Sequence, residues 1–121
     1  SVQLKSILNG EEITYFQNLI RKIPVNDNVI EYAVRLASKT RPNNENAPEI
    51  TKNFLSWGAG PRASQYLIIG AKCHAALAGK FSPDIEDVQA VALPILRHRI
   101  VRNYKTEAEG YTVEKIVKSL F

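Results

Sequence analysis

Apolar residues recur along most of the chain at spacings of three and four, the period of an amphipathic α-helix. The first such stretch opens at Asn9-Gly10-Glu11-Glu12 and stops before Pro24. Its apolar stripe consists of Ile13, Phe16, Ile20 and Ile23. Asn9 and Glu12 have the spacing of a capping box, and a proline cannot continue a helix. The pattern therefore predicts a helix that Asn9 caps and Pro24 ends.

A second helix is predicted from Asn26 or Asp27 up to Pro42, with Lys39 and Arg41 suited to its C-terminal end. Its shared apolar face consists of Val29, Ile30, Ala33, Val34 and Ala37. Residues 41–48 are turn formers and polar residues, which predicts an exposed, mobile loop.

Residues 50–57 return to apolar side chains without a clean period. The four apolar positions are Ile50, Phe54, Leu55 and Trp57. We expect a short irregular or single-turn segment that packs onto the core.

Three further helices follow, and together the pattern predicts an all-α bundle of about five helices. The third runs from Arg62 to Gly79 and is apolar on most sides, so we expect it to be buried on several faces. The fourth opens at Ser82-Pro83-Asp84, runs to Leu96 and contains Pro94, at which we expect a bend. The last is capped by Thr112.

Composition agrees with one globular domain over residues 1–121, because 45% of the residues are hydrophobic and 23% are charged. No apolar run is long enough for a membrane span and no secretory leader opens the chain, so we expect a cytoplasmic protein. Cys73 is the single cysteine, which excludes an internal disulfide, and two histidines do not complete a zinc set. Because the chain contains no methionine, we expect it to be part of a longer protein.

Arg62 is the unusual local feature, because a cation at the start of a helix opposes the helix dipole. Free backbone N–H groups, nearby glycines and a guanidinium together are what a phosphate needs. A surface arginine paired with a nearby carboxylate is the structural alternative.

Two nucleotide-binding patterns are rejected. Gly58, Gly60 and Ala63 satisfy a minimal G-x-G-x-x-A pattern, but no βαβ unit surrounds them. The Gly-Lys-Ser/Thr ending of a P-loop is missing, so the chain by itself is expected neither to cradle nor to hydrolyse a nucleotide.

Other reactive residues have structural interpretations. Cys73 and His74 are adjacent on one helix and diverge, so we expect a core thiol and a partly buried histidine. His98 lies between two arginines and has no identified catalytic partner. Trp57 and Tyr66 could stack a base, but aromatic residues beside a helix start are more often core.

Several runs resemble the C-terminal helical lid of MoxR-family AAA+ ATPases, and the likeness covers nearly the whole chain. They are Gly58-Ala59-Gly60-Pro61-Arg62-Ala63-Ser64, Pro83-x-x-x-Asp87-Val88 and Leu93-Pro94-x-Leu96-Arg97-His98-Arg99, with Ile23-Pro24-Val25 and Val29-Ile30-Glu31-Tyr32 upstream and Glu109-Gly110 near the end. Gly60 departs from the family, which usually has serine there.

The resemblance implies that Gly58, Ala59, Gly60, Pro61 and Arg62 form the sensor 2 motif. Arg62 would contact the γ-phosphate of ATP, with Mg²⁺ held by an α/β core that precedes this chain. The implied partners are that core, a homo-oligomeric ring, and client proteins that often carry von Willebrand factor A domains. The fragment alone would be inactive.

Two other classes of function stay open. The net charge is +4, and Arg97, Arg99, Arg102 and Lys105 lie together with no acid among them. Such a cluster could serve a helical DNA-binding module or a protein-interaction module, although a solvated helix end has the same pattern.

Overall fold

The computed structural model describes residues 10–121 and shows seven helices and two short strands in that range. In chain order they are α1 (Gly10–Arg21), α2 (Asp27–Lys39), α3 (Glu49–Phe54), β1 (Leu55–Trp57), α4 (Ala63–Leu77), α5 (Ile85–Leu96), β2 (Val101–Arg102), α6 (Tyr104–Ala108) and α7 (Val113–Ser119). The predicted all-α fold class is confirmed. Among these helices, none is long and apolar enough to cross a membrane.

The predicted number of helices was too low, because α3 and α6 are too short to show a hydrophobic period. The strands were also missed. They form one antiparallel pair, with Leu55 opposite Arg102 and Trp57 opposite Val101. Thr106 reinforces this region from α6, since its buried hydroxyl donates to the carbonyl of Phe54 over 2.6 Å.

The core lies between α2, α4, α5 and α7, and α4 packs most extensively against α5. Its largest fully buried apolar side chains are Leu36, Leu67, Leu96, Ile116, Leu120, Val29, Val88 and Val117. Gly70 allows α4 to approach α5 closely, because a Cβ at that position would lie 2.7 Å from Cδ1 of Ile95. The central role predicted for α4 follows from this packing.

Several residues predicted to be buried are exposed. Ile30 and Val34 on α2 are 37% and 49% exposed, and Leu77 on α4 is 90% exposed. Trp57, expected in the core, is 68% exposed. Apolar residues at helical spacing can span a wider face than the neighbouring elements cover, so the periodic pattern overestimates the set of buried residues.

The helix ends agree with the sequence only in part. Thr112 caps α7 as predicted, accepting the N–H of Lys115 over 3.1 Å. Asn26 is the N-cap residue of α2, but its side chain makes no capping bond. The cap of α5 is Asp84 instead of Ser82. The predicted cap at Asn9 lies outside the described residues.

A network of charges closes the turn between α4 and α5. The Nζ of Lys80 lies 2.6, 3.0 and 3.1 Å from carboxylate oxygens of Asp87, Asp84 and Glu86. Asp87 is buried, which raises its pKa, but bonds from the Asp84 N–H, Lys80 and His74 outweigh burial and lower that pKa to about 2. The three carboxylates have metal-ligand spacing, but the Lys80 ammonium already neutralises them in part.

We expect Leu67→Ala to lower the free energy of unfolding by about 2 to 5 kcal/mol, because it leaves a cavity in the core. Leu77→Ala, on the same helix, should change it by less than about 0.5 kcal/mol because Leu77 is exposed. Urea denaturation of the 121-residue chain measures both. Equal losses in the two variants would contradict this assignment of the core.

The chain should lose stability in acid as Asp87 is protonated. Its folded pKa of about 2 lies below the ordinary 3.8, so the stabilisation is complete above about pH 5 and disappears as the pH falls towards 2. The shift corresponds to about 2 kcal/mol. Asp87→Asn should flatten this part of the stability profile, measured by thermal unfolding from pH 7 to 2. A variant as acid-sensitive as the wild type would show that other carboxylates are responsible.

Candidate functional site

The segment that leads into α4 passes against the C-terminal end of α2. A Cβ at Gly58 would lie 2.3 Å from the carbonyl oxygen of Thr40 and 2.6 Å from the Cα of Arg41. Real Cβ atoms do not approach backbone so closely, and the backbone at the end of a packed helix cannot easily move. Glycine is therefore required at position 58 for this path.

Two side chains at the end of α2 hold the same segment. The hydroxyl of Thr40 accepts the N–H of Ala59 over 2.9 Å and donates to the carbonyl of Ala37 over 2.6 Å. Arg41 donates from Nε to the carbonyl of Ala59 over 2.9 Å and from Nη2 to that of Gly60 over 3.0 Å. These bonds fix residues 58–60 to α2.

Arg41 thus does more than complement the end of a helix. Residues 41–48 form the predicted loop, but they are only partly exposed. Arg41 is partly buried and Ala47 is 7% exposed. No local pattern identifies the partners of Arg41, because they lie 18 and 19 residues away. The sequence shows Arg41 and Gly60, but it does not show that the two residues are in contact.

Arg62 is the N-cap residue of α4, one position before the first turn in which the sequence placed it. Its side chain is exposed and makes neither a hydrogen bond nor an ion pair with any residue in the range 10–121. The alternative of an arginine paired with a nearby carboxylate therefore finds no support in the described structure. Arg62 has all its guanidinium donors available.

An open depression of about 310 Å³ lies at this point. It is lined by Gly60, Pro61, Arg62, Ala63, Tyr66 and Arg99. Two of these side chains are cationic and none is acidic. Such a depression suits an anionic group.

Arg99 reaches the depression from the residues that follow α5. Its Cζ lies 4.5 Å from the centroid of the Tyr66 ring, and its Nη1 donates to the carbonyl of Ile95 over 2.8 Å. Tyr66, which was expected in the core, is 39% exposed and supports this guanidinium. The sequence placed Arg99 only in the basic cluster at residues 97–105, because no local pattern shows its contact with Tyr66 on α4.

The other candidate residues from the sequence do not line this depression. His74 is paired with Asp87, with its Nδ1 2.7 Å from Oδ1, and Cys73 is partly buried instead of fully in the core. His98 and Trp57 are exposed and line no cavity with Arg62. The two guanidinium groups in the lining of the depression suit the binding of an anion.

Comparison with known proteins shows the family of this chain. Residues 47–120 match the family model described as the AAA lid domain, and the chain belongs to that family. The resemblance to the lid of MoxR-family ATPases is confirmed with it.

Similar proteins include chaperone MoxR1 of Mycobacterium tuberculosis, which is 29% identical over 95% of this chain and 30% of its own length. The uncharacterised protein YeaC of Bacillus subtilis is 26% identical over 97% of this chain and 34% of its own. A crystal structure of a candidate ATPase from Cytophaga hutchinsonii superposes with a TM-score of 0.81 at 30% identity, covering 91% of this chain and 33% of that protein. The chain thus spans about a third of each relative's length.

Two glycine substitutions test the contacts that hold residues 58–60 against the end of α2. Gly58→Ala should lower the free energy of unfolding by about 1 to 3 kcal/mol, because the added Cβ overlaps the backbone of Thr40. Gly60→Ala is the matched control, because a Cβ there meets nothing within 4 Å. It should be neutral or stabilising by up to about 1 kcal/mol. Thermal unfolding measures both, and a neutral Gly58→Ala would refute the close approach.

Proposed function

We propose that this chain is the lid over a nucleotide held by an ATPase core elsewhere in a longer protein, and that Arg62 is its sensor 2 arginine. Arg62 would contact the γ-phosphate of ATP through its guanidinium. The observation that carries the proposal is an arginine without any partner in the described residues, placed at the end of a segment that Thr40 and Arg41 hold rigidly.

The fixed backbone before Arg62 matters because it limits the region that the guanidinium can reach, so less freedom is lost when the guanidinium contacts a phosphate. Serine is usual in the family where this chain has Gly60, so one side-chain hydroxyl is lost from the segment. The carbonyl of Gly60 nevertheless accepts from Arg41, so the path into Arg62 stays defined. The departure leaves the proposed role of Arg62 intact.

The contact would also couple nucleotide state to movement. A guanidinium bound to the γ-phosphate loses its partner after hydrolysis and phosphate release, so the lid would be held in one state and freed in the other. Because residues 58–60 are bonded to α2 and α4 packs on α5, the lid would move as one body. We propose that this movement drives chaperone-like remodelling of partner proteins, in line with the name of the mycobacterial relative.

The remaining parts of the machinery belong elsewhere in this proposal. No carboxylate lines the depression at Arg62, so the Mg²⁺ ligands and the phosphate-cradling loop are assigned to the core. A homo-oligomeric ring and clients with von Willebrand factor A domains are proposed on the family resemblance alone.

A DNA-binding module is less well supported by the basic cluster at residues 97–105. Arg99 and Arg102 each donate to a backbone carbonyl, those of Ile95 and Tyr111. Of the four cationic side chains of the cluster only Arg99 lines the depression at Arg62, so the cluster does not converge on that depression.

In the longer ATPase, Arg62→Ala should reduce steady-state ATP hydrolysis by roughly 100-fold, because it removes a donor that stabilises charge on the transferred phosphoryl group. Arg62→Lys should rescue little of this activity, since an ammonium cannot make a planar two-donor contact.

Unfolding of the 121-residue chain is the control. Arg62→Ala should leave it equally stable or up to about 1 kcal/mol more stable, because a cation leaves the helix start. Normal hydrolysis in the variant, or a markedly destabilised chain, would show that Arg62 is structural. Loss of duplex binding with normal hydrolysis would favour the DNA-binding module.

A further inference from the structure

The depression beside Arg62 contains a second guanidinium that the sensor 2 role does not use. We propose that Arg99 is a second phosphate-contacting residue, and that the two arginines together bind the adjacent phosphoryl groups of a nucleoside triphosphate. The identity of the ligand rests on the function proposed for Arg62, whereas the pairing of the two arginines rests on the geometry of the depression itself.

Arg99 is held in place before any ligand arrives. Its Cζ lies over the Tyr66 ring, and one N–H is used by the carbonyl of Ile95. A guanidinium has five N–H donors, so a single bond to a carbonyl leaves the others available. Because the side chain is already ordered, less conformational entropy is lost on binding an anion.

The charges in the depression are unbalanced. Neither Arg62 nor Arg99 forms an ion pair with any residue between positions 10 and 121, and no acidic side chain lines the depression. At the other end of α4 the arrangement is the opposite, since Lys80 contacts three carboxylates. Two like charges that share one depression repel each other unless an anion lies between them.

The spacing between the two arginines is set by the core. Arg62 precedes α4 and Arg99 follows α5, and these two helices make the most extensive contact in the described structure. Gly70 lies at this contact, where an added Cβ would come within 2.7 Å of Cδ1 of Ile95. The backbones at Arg62 and Arg99 therefore belong to one packed unit, and both side chains line the same depression, in which a polyphosphate would meet both.

Arg97 provides a matched control in the same run of the sequence. It does not line the depression. The pKa of Glu114 is lowered mainly by its bond from Lys118 and to a smaller extent by the charge of Arg97, which places Arg97 on the side of α7. Removing Arg97 changes the net charge by the same amount without touching the proposed site.

The test measures the affinity of the longer ATPase for the slowly hydrolysed analogue ATPγS by isothermal titration calorimetry. Arg99→Ala should weaken binding about tenfold, the loss expected for one charge-assisted contact, whereas Arg97→Ala should bind like the wild type. Tyr66→Phe should retain affinity and Tyr66→Ala should lose part of it, because the ring positions Arg99. General destabilisation of the domain would not separate Arg99→Ala from Arg97→Ala, or Tyr66→Ala from Tyr66→Phe, in this way.

The outcomes separate the two proposals. Normal affinity in Arg99→Ala with weakened binding in Arg62→Ala would overturn the role of Arg99 and leave sensor 2 standing. Equal weakening in Arg97→Ala and Arg99→Ala would overturn it in favour of a general charge effect. Dissociation of the oligomer by Arg99→Ala at unchanged affinity, seen by analytical ultracentrifugation, would overturn the role of Arg99 and show that it pairs with a carboxylate on a neighbouring subunit.

Thermal unfolding of the 121-residue chain checks that Arg99→Ala is folded. Arg99→Gln replaces Arg99→Ala if that variant is not folded.

Discussion

The close approach of Gly58 to the end of α2 is the constraint on which the candidate site depends. With no side chain at position 58, the chain can pass against the backbone of Thr40, where the Thr40 hydroxyl and the Arg41 guanidinium bind the peptide groups that follow. Any larger residue would move this segment outward and separate it from those donors and acceptors. The direction in which α4 starts, and with it the position of Arg62, follows from that one contact. The role proposed for Arg62 thus depends on position 58, which carries no functional group.

Helix α4 connects two electrostatic environments that differ in kind. At its C-terminal end, Lys80 is surrounded by carboxylates, and the buried Asp87 is satisfied by an ammonium, an imidazole and a backbone N–H. Charge there is balanced within the domain, as stability requires of a buried carboxylate. At its N-terminal end, Arg62 and Arg99 lie in one depression without a counter-charge among the described residues. Balanced charge stabilises a fold, whereas unbalanced charge on a rigid frame is available for a ligand, and the contrast along one helix supports a binding role for the second environment.

Three buried threonines show why part of the fold could not be predicted from the sequence. Thr40, Thr51 and Thr106 are fully buried, and each donates its hydroxyl to a backbone carbonyl: those of Ala37, Lys39 and Phe54. Two of these bonds join segments that are distant in the chain, so neither hydrophobic period nor capping pattern reveals them. The short helices α3 and α6 depend on the same contacts. A segment of five or six residues is too short to be a stable helix by itself, and tertiary packing decides its conformation.

The fold class, the five longer helices and the position of Arg62 at a helix start were predictable from the sequence, because helical period, proline and capping residues act within a few positions of one another. The family resemblance was also visible there, in residues 58–64 and 93–99. Three features were not predictable: which half of each apolar face is buried, that Arg41 holds the segment before Arg62, and that Arg99 lies beside Arg62 on Tyr66. These features arise from contacts between helices, and their geometry depends on how closely α2, α4 and α5 approach one another. That approach depends on positions such as Gly58 and Gly70, which have no side chain. The sequence shows the glycines, but not which residue lies against each of them.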